Sequence, residues 1–219
     1  MIAETFPEAY ALVATGAWIV STLVINRGLE RKPTGNGVYR IALGLNASLV
    51  TGSVLLSFVV LPRVRIGDVS VFLILAGVFS FPLGTGLYYY ASEAYEERSE
   101  LAAQFNKTKP LFAVGFAVFV VGESLSPLTV VALACITLGL AVLLIGTLKG
   151  RFSNVAMVLG TATAVAWALG DGFITLGVDG VDPLVATYVA LVTGTVLYSL
   201  ISLPLILRKL PIPDAMTEP

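Results

Sequence analysis

Three ionisable side chains stand inside or beside apolar stretches of this sequence: Lys107 and Lys109, just ahead of Pro110, and Asp171, set between Gly170 and Gly172. A charged group in hydrocarbon is costly, so it is kept where it pairs or lines a solvated path. An ammonium in such a place suits an anionic solute, such as an organic acid or a phosphate ester. A carboxylate suits that ammonium, or a proton in coupled transport. The two lysines are two positions apart, about 200° around a helix, so they cannot both face one cavity. Lys107 shares a face with Ala103, Pro110 and Val114. It is the expected cavity-facing cation, within reach of Asp171, while Lys109 suits a snorkelling role at the interface. Pro110 cannot donate to the preceding turn. It implies either a kink beside a substrate path or a helix start displaced to Thr108, which would leave both lysines in a loop. Asp171 follows Trp167 by four residues and shares its helix face. If the helix reaches Leu176, Asp171 is more than a turn inside it; the Gly-Asp-Gly context also suits a broken helix, or an early helix end with Asp171 at the interface.

Weaker candidates for a substrate surface are Trp18, Asn46 and Tyr89, the last within the run Tyr88 to Tyr90. Tyrosines also form the aromatic belt at membrane interfaces, and that reading fits the run equally well. Glu123 is expected at a tight interhelical turn, in a structural role. Glu93, Glu96, Glu97, Arg98 and Glu100 read as a solvated loop. The sequence has no histidine and one cysteine, Cys135. That removes the commonest general base and any cysteine cluster for a metal. Two acids meeting in one cavity would be needed to revive an enzymatic reading. No cofactor is implied. The net charge of -1 gives no field for nucleic acid.

The elements that must position these residues are membrane helices. The chain is 57% hydrophobic and 12% charged, against roughly 25% charged residues in a soluble domain. So few charges could not cover a water-soluble surface of this size, so a lipid bilayer is the expected surrounding. With about 20 residues per span, about seven segments qualify: 9–25, 41–61, 69–91, 102–121, 128–148, 155–176 and 184–207. The first has an acidic leading flank and no cleavage site, so it reads as a retained helix rather than a signal peptide. Ser126-Pro127 and Asp182-Pro183 mark helix starts, and Asp68 is a candidate cap for the third segment. Gly160, Ala164 and Ala168 form one small-residue stripe, and Ala162, Ala166 and Gly170 another, both suited to close helix packing. Loop lysines and arginines cluster on one side, from Arg27, Arg31 and Lys32 to Arg208 and Lys209, with Arg63 and Arg65 opposite. The positive-inside rule would then put the N-terminus outside.

The stretch from Gly86 to Leu144 resembles the EamA-like family of the drug/metabolite transporter superfamily. The likeness rests on Gly86, Tyr88 to Ala91, Ala102 and Ala103, Pro110, Gly122-Glu123 and Gly139. Trp18, Arg40, Gly160 and Trp167 agree more loosely. The resemblance implies an all-α polytopic bundle and transport of a small polar or amphipathic metabolite by alternating access through a central cavity. It implies location in a membrane, expected to be a prokaryotic cell membrane. It also implies a first five-helix repeat over residues 1–148 and a partial inverted repeat of two helices over 149–219, with a short polar tail. The family's usual ten helices then predict a truncated or half-transporter that needs a homodimer or partner chain, with a non-transporting membrane scaffold as the rival. The family's cytoplasmic N-terminus is opposite to the orientation that the loop charges favour. Related phosphate-ester translocators resemble this chain in placing a lysine near the proline, which makes the expected substrate anionic.

Overall fold

The computed structural model describes residues 37–94, 105–147 and 154–209. The chain divides into two compact units, Met1–Gly37 and Val38–Pro219; apart from Gly37, the described residues belong to the second. The expected helix 9–25, Trp18 and most of the charge run, Glu96 to Glu100, lie outside the described residues.

Every regular element among the described residues is helical. Helix α1 covers Gly37–Val60. Two short 3-10 turns, Leu61–Arg63 and Ile66–Asp68, lead to α2, Val71–Val78. The same rod continues through a π-helical turn, Phe79–Thr85, into α3, Gly86–Ala94. Helix α4 is Lys109–Phe116 and widens into a second π-helical turn, Ala117–Val121. Helices α5, α6 and α7 are Pro127–Thr147, Asn154–Gly177 and Pro183–Lys209. Among the described residues, four stretches are long and apolar enough to cross a bilayer: Ala42–Arg63, Val71–Tyr90, Met157–Gly177 and Pro183–Pro204. Lys109–Val121 and Pro127–Val142 are apolar but shorter.

The expected segment 102–121 is not one helix. Helical backbone at Phe105 and Asn106 gives way to a turn at Lys107 and Thr108, and α4 starts afresh at Lys109. Pro110 occupies the first turn of α4 rather than its interior, where its missing N–H leaves no gap in the ladder. The displaced start at Thr108 is therefore the one that forms. The break has an unsatisfied neighbour, since Asn106 Oδ1 is buried with no hydrogen-bond partner among the described residues. The expected segment 155–176 does form one helix, and of the readings of the Gly170-Asp171-Gly172 stretch the continuous one is found. Helix α6 runs unbroken through it to Gly177, so Asp171 stands six residues inside the helix end.

Local chemistry sets the other ends. Ser126 Oγ accepts from Thr129 N–H at 3.1 Å, and Asp182 Oδ1 accepts from Leu184 N–H at 2.8 Å, as capping residues do. Asp68 does not cap α2. It closes its own 3-10 turn by accepting from Arg65 N–H at 2.8 Å, and Ser70 caps α2 instead. At the end of the second π-helical turn Gly122 takes φ 81°, the left-handed region that glycine reaches without a Cβ clash. Glu123 N–H then donates back to Ala117 O at 3.0 Å.

Helix α2 packs on α6 and α7, and α4 and α3 pack on α6. Lipid offers no hydrophobic drive between helices, so close approach and polar contacts must hold them together. At the α2–α7 crossing, a Cβ on Gly77 would meet the Ala190 carbonyl, with Gly194 N also close; one on Gly194 would meet Phe81 and Gly77 O. Both stripes of α6 are used: Gly160, Ala164, Ala166, Ala168 and Gly170 are buried and Ala162 is half-buried. Val60, Leu73, Val185, Ala186, Tyr188 and Val189 form an apolar core at one end.

Helices α1 and α7 run antiparallel, joined by a row of polar pairs. Asn46 Nδ2 donates to Ser202 Oγ at 2.9 Å, and Ser199 Oγ donates to Asn46 Oδ1 at 2.6 Å. Ser53 and Thr195 share a hydrogen bond of 2.9 Å, and Ser57 and Tyr188 one of 2.7 Å. The spacing of 46, 53 and 57 keeps all three on one helix face.

Candidate functional site

The site grows from one face of α6. Trp167 and Asp171 are one turn apart; Asp171 meets α4, and Trp167 meets both α4 and the first π-helical turn. Lys109 Nζ, on the first residue of α4, pairs with Asp171 Oδ2 at 2.6 Å. It also lies over the Trp167 ring, 6.0 Å from the centroid, at the outer limit of a cation–π contact. The ammonium is thus held between a carboxylate and an aromatic face. Neither partner is sealed: the side chains are 35% and 54% exposed. At that exposure a single ion pair contributes under about 1 kcal/mol to stability. It is better placed to exchange partners than to hold helices.

Trp167 is fixed from behind. Its Nε1 donates to Ser80 O at 3.0 Å, with Thr85 Oγ1 at 3.3 Å. Thr85 Oγ1 itself donates to Ser80 O at 2.9 Å. Pro82, inside this turn, has no N–H, and the widened ladder frees backbone groups for such bonds. Gly84 lies against the indole so closely that any Cβ there would fall on it, and the Tyr88 ring is 5.6 Å away. Further along α6, Phe173 meets Phe79 at 5.5 Å and Phe116 at 5.6 Å, while Gly172 accommodates the edge of Phe116. The aromatic wall is therefore built from four elements: the first π-helical turn, α3, α4 and α6.

Beside the ion pair a half-open groove of about 110 Å³ separates α4 from α6. Ala113, Phe116, Ala117 and Val121 line one side, and Asp171, Gly172 and Thr175 the other. Glu123, carried in by the Gly122 turn, is at its end. Two acidic residues thus line one groove, the arrangement that an enzymatic reading would need, with Lys109 answering Asp171. No group of three or more potential metal ligands occurs among the described residues.

The EamA-like transporter family model matches residues 5–145. This chain belongs to the EamA-like transporter family. No curated protein and no solved structure gives a significant match. Membership makes it an integral membrane protein of a transporter family, in contact with lipid, rather than a member of an enzyme family. The matched span includes α4 with Lys109 and the turn with Lys107; Trp167 and Asp171 fall beyond it.

The candidate residues divide between two places. Lys109, not Lys107, makes the pair with Asp171; Lys107 is exposed in the turn ahead of α4. The reason is the restarted helix, which turns the first residue of α4 toward α6. Pro110 lies beside that pair as a helix starter. Asn46 is not part of this group: it is buried in the α1–α7 seam with both ends of its amide engaged. Tyr89 stacks edge-on with Tyr88 at 5.4 Å, and Tyr88 is the tyrosine against Trp167. The contribution of Glu123 to the groove was hidden by its place in a turn. The signal for it was Gly122, whose left-handed conformation swings the next residue back over the helix end.

Proposed function

We propose that this EamA-like chain moves a small polar or amphipathic metabolite across the bilayer by alternating access, with the α4–α6 groove on the solute's path. The observation that carries this reading is the half-exposed Lys109–Asp171 pair at the groove's edge. A charge pair on apolar helices is costly unless it serves a solvated path, and this one is open where the α1–α7 polar pairs are closed. Lys109, Asp171 and Trp167 are the residues we assign to solute contact. Lys107, exposed one turn away, fits the mouth of the path. We further propose that residues 1–148 act as a first repeat and 149–219 as part of a second, with a second copy of the chain or a partner chain contributing to the path.

Uptake by proteoliposomes tests the transport reading. Purified chain reconstituted in vesicles should give saturable uptake or counterflow from a mixed pool of labelled small metabolites. Asp171→Asn should lower that flux with the protein still inserted. Vesicles that move no solute, with or without a second chain, would instead support a membrane scaffold.

A further inference from the structure

The partners of Lys109 Nζ describe a binding site more general than one ion pair. A primary ammonium on a flexible alkyl stem is held by a carboxylate at 2.6 Å and lies over an indole face. A carboxylate and an aromatic face are what recognise an alkylammonium ligand. The groove next to this ammonium adds Glu123, which has no ion-pair partner among the described residues, and Thr175, whose hydroxyl donates to Asp171 O at 3.1 Å. Lys109 answers one of the two carboxylates, so the groove keeps an excess of negative charge. Its apolar side, with Phe116 and Ala117, suits a short alkyl chain.

We propose that the α4–α6 groove binds the primary ammonium group of a small amine, and that Lys109 is a tethered occupant which the ligand displaces from Asp171 and Trp167. The inference names a substrate class for the transport reading above and rests on that reading only for what the binding is for. It reverses the anionic expectation, because an anion would have to separate Lys109 from Asp171 and then face Glu123. At about 110 Å³ the groove is smaller than the roughly 300–1,000 Å³ of an ordinary small-molecule site. It admits a headgroup and a few carbons rather than a whole drug-sized molecule. The tether keeps Lys109 at a high effective concentration. When the amine is absent, the site holds its own cation and Asp171 is not left bare.

The test is equilibrium binding of labelled n-butylammonium to the full chain in lipid nanodiscs, with butyrate and 1-butanol as unlabelled competitors. Wild type should bind butylammonium saturably, with competition from neither butyrate nor butanol. Lys109→Gln should tighten that binding about fivefold to tenfold, since it removes an exposed ion pair and a marginal cation–π contact that the ligand must otherwise break. Asp171→Asn should weaken it about tenfold to a hundredfold, and Asp171→Glu should keep it. Should Asp171→Asn fail to yield folded protein, the gain in Lys109→Gln decides. Binding that weakens or stays the same in Lys109→Gln overturns the proposal. So does saturable butyrate binding that Lys109→Gln removes, which would restore an anionic substrate. Butylammonium binding without any solute flux would leave the site standing and remove the transport reading; flux of other solutes without butylammonium binding would do the reverse.

Discussion

The α1–α7 seam and the α4–α6 groove both carry polar residues on apolar helices, yet they use them in opposite ways. In the seam Asn46, Ser53 and Ser57 each meet a partner on α7, and Asn46, Ser53, Thr195 and Ser202 are buried. All of these groups are neutral, and each is hydrogen-bonded across the seam. In the groove the groups are charged and more than a third open, and carboxylates outnumber the ammonium that answers them. The difference shows that residue type does not separate glue from site inside a membrane; completeness of partnering does. Satisfied neutral pairs join helices. A half-open ion pair with a spare acid beside it retains binding capacity.

The largest expected effect lies on the packed side. Gly77→Val places branched carbons against the Ala190 carbonyl and Gly194 N, and neither is a flexible side-chain end. Overpacking of this kind costs about 3 kcal/mol, the upper part of its usual range. Unfolding in mixed micelles, followed by helical circular dichroism, should show that loss. Wild-type stability would mean that the α2–α7 crossing is looser than described. On the open side the contrast should invert. Asp171→Asn weakens a charge-assisted bond of about 1.5–3 kcal/mol, so solute flux should fall about tenfold to a hundredfold. Its effect on stability should stay under about 1 kcal/mol, because the pair is exposed. A large stability loss without a flux loss would make the pair structural and erase the distinction.

Between these lies Gly122→Ala. The position has open space around it, so the expected cost of about 1 kcal/mol comes from the left-handed backbone alone. The informative readout is the groove. A disturbed turn should move Glu123 and weaken butylammonium binding beyond what the stability change explains. Unchanged binding would show that Glu123 contributes nothing to the groove.

The sequence made the packed side easier to read than the open one. Apolar runs of span length, the two small-residue stripes of α6 and the Ser126 and Asp182 starts depend on local chemistry and near neighbours; among the described residues the structure contains four of the runs at span length, both stripes and both starts. The spacing of Trp167 and Asp171 was equally legible, being a single helical turn. The partner of Asp171 was not, because it depends on where α4 begins. Lys107 and Lys109 differ by about 200° of rotation, and a break at Lys107 and Thr108 exchanges their roles. Asn46 was misplaced for a related reason. A polar residue on an apolar helix carries no mark of whether its partners sit on a neighbouring helix, and Ser199 and Ser202 are more than 150 positions away. Pro82 did carry a local mark, but the wider turn around it can be assigned to Trp167 only when α6 is in place.

The smallest expected effect tests the seam itself. Ser57 and Tyr188 join α1 to α7 through a hydrogen bond of 2.7 Å, and Ser57 Oγ also donates to Ser53 O one turn back. Ser57→Ala and Tyr188→Phe each remove one side of the pair with little change of shape, and the double variant closes a cycle. The coupling energy should be about 0.6 kcal/mol, the average for interhelical hydrogen bonds in a membrane protein. It stays that small because the separated helices find other partners in the unfolded membrane state, and because Ser57 keeps its bond to the preceding turn. The corresponding cycle of Lys109→Gln with Asp171→Asn should give its signal in ligand affinity rather than in stability. If both cycles couple in stability alone, the groove is a second seam; if they divide as expected, partnering at each place has told structure from function.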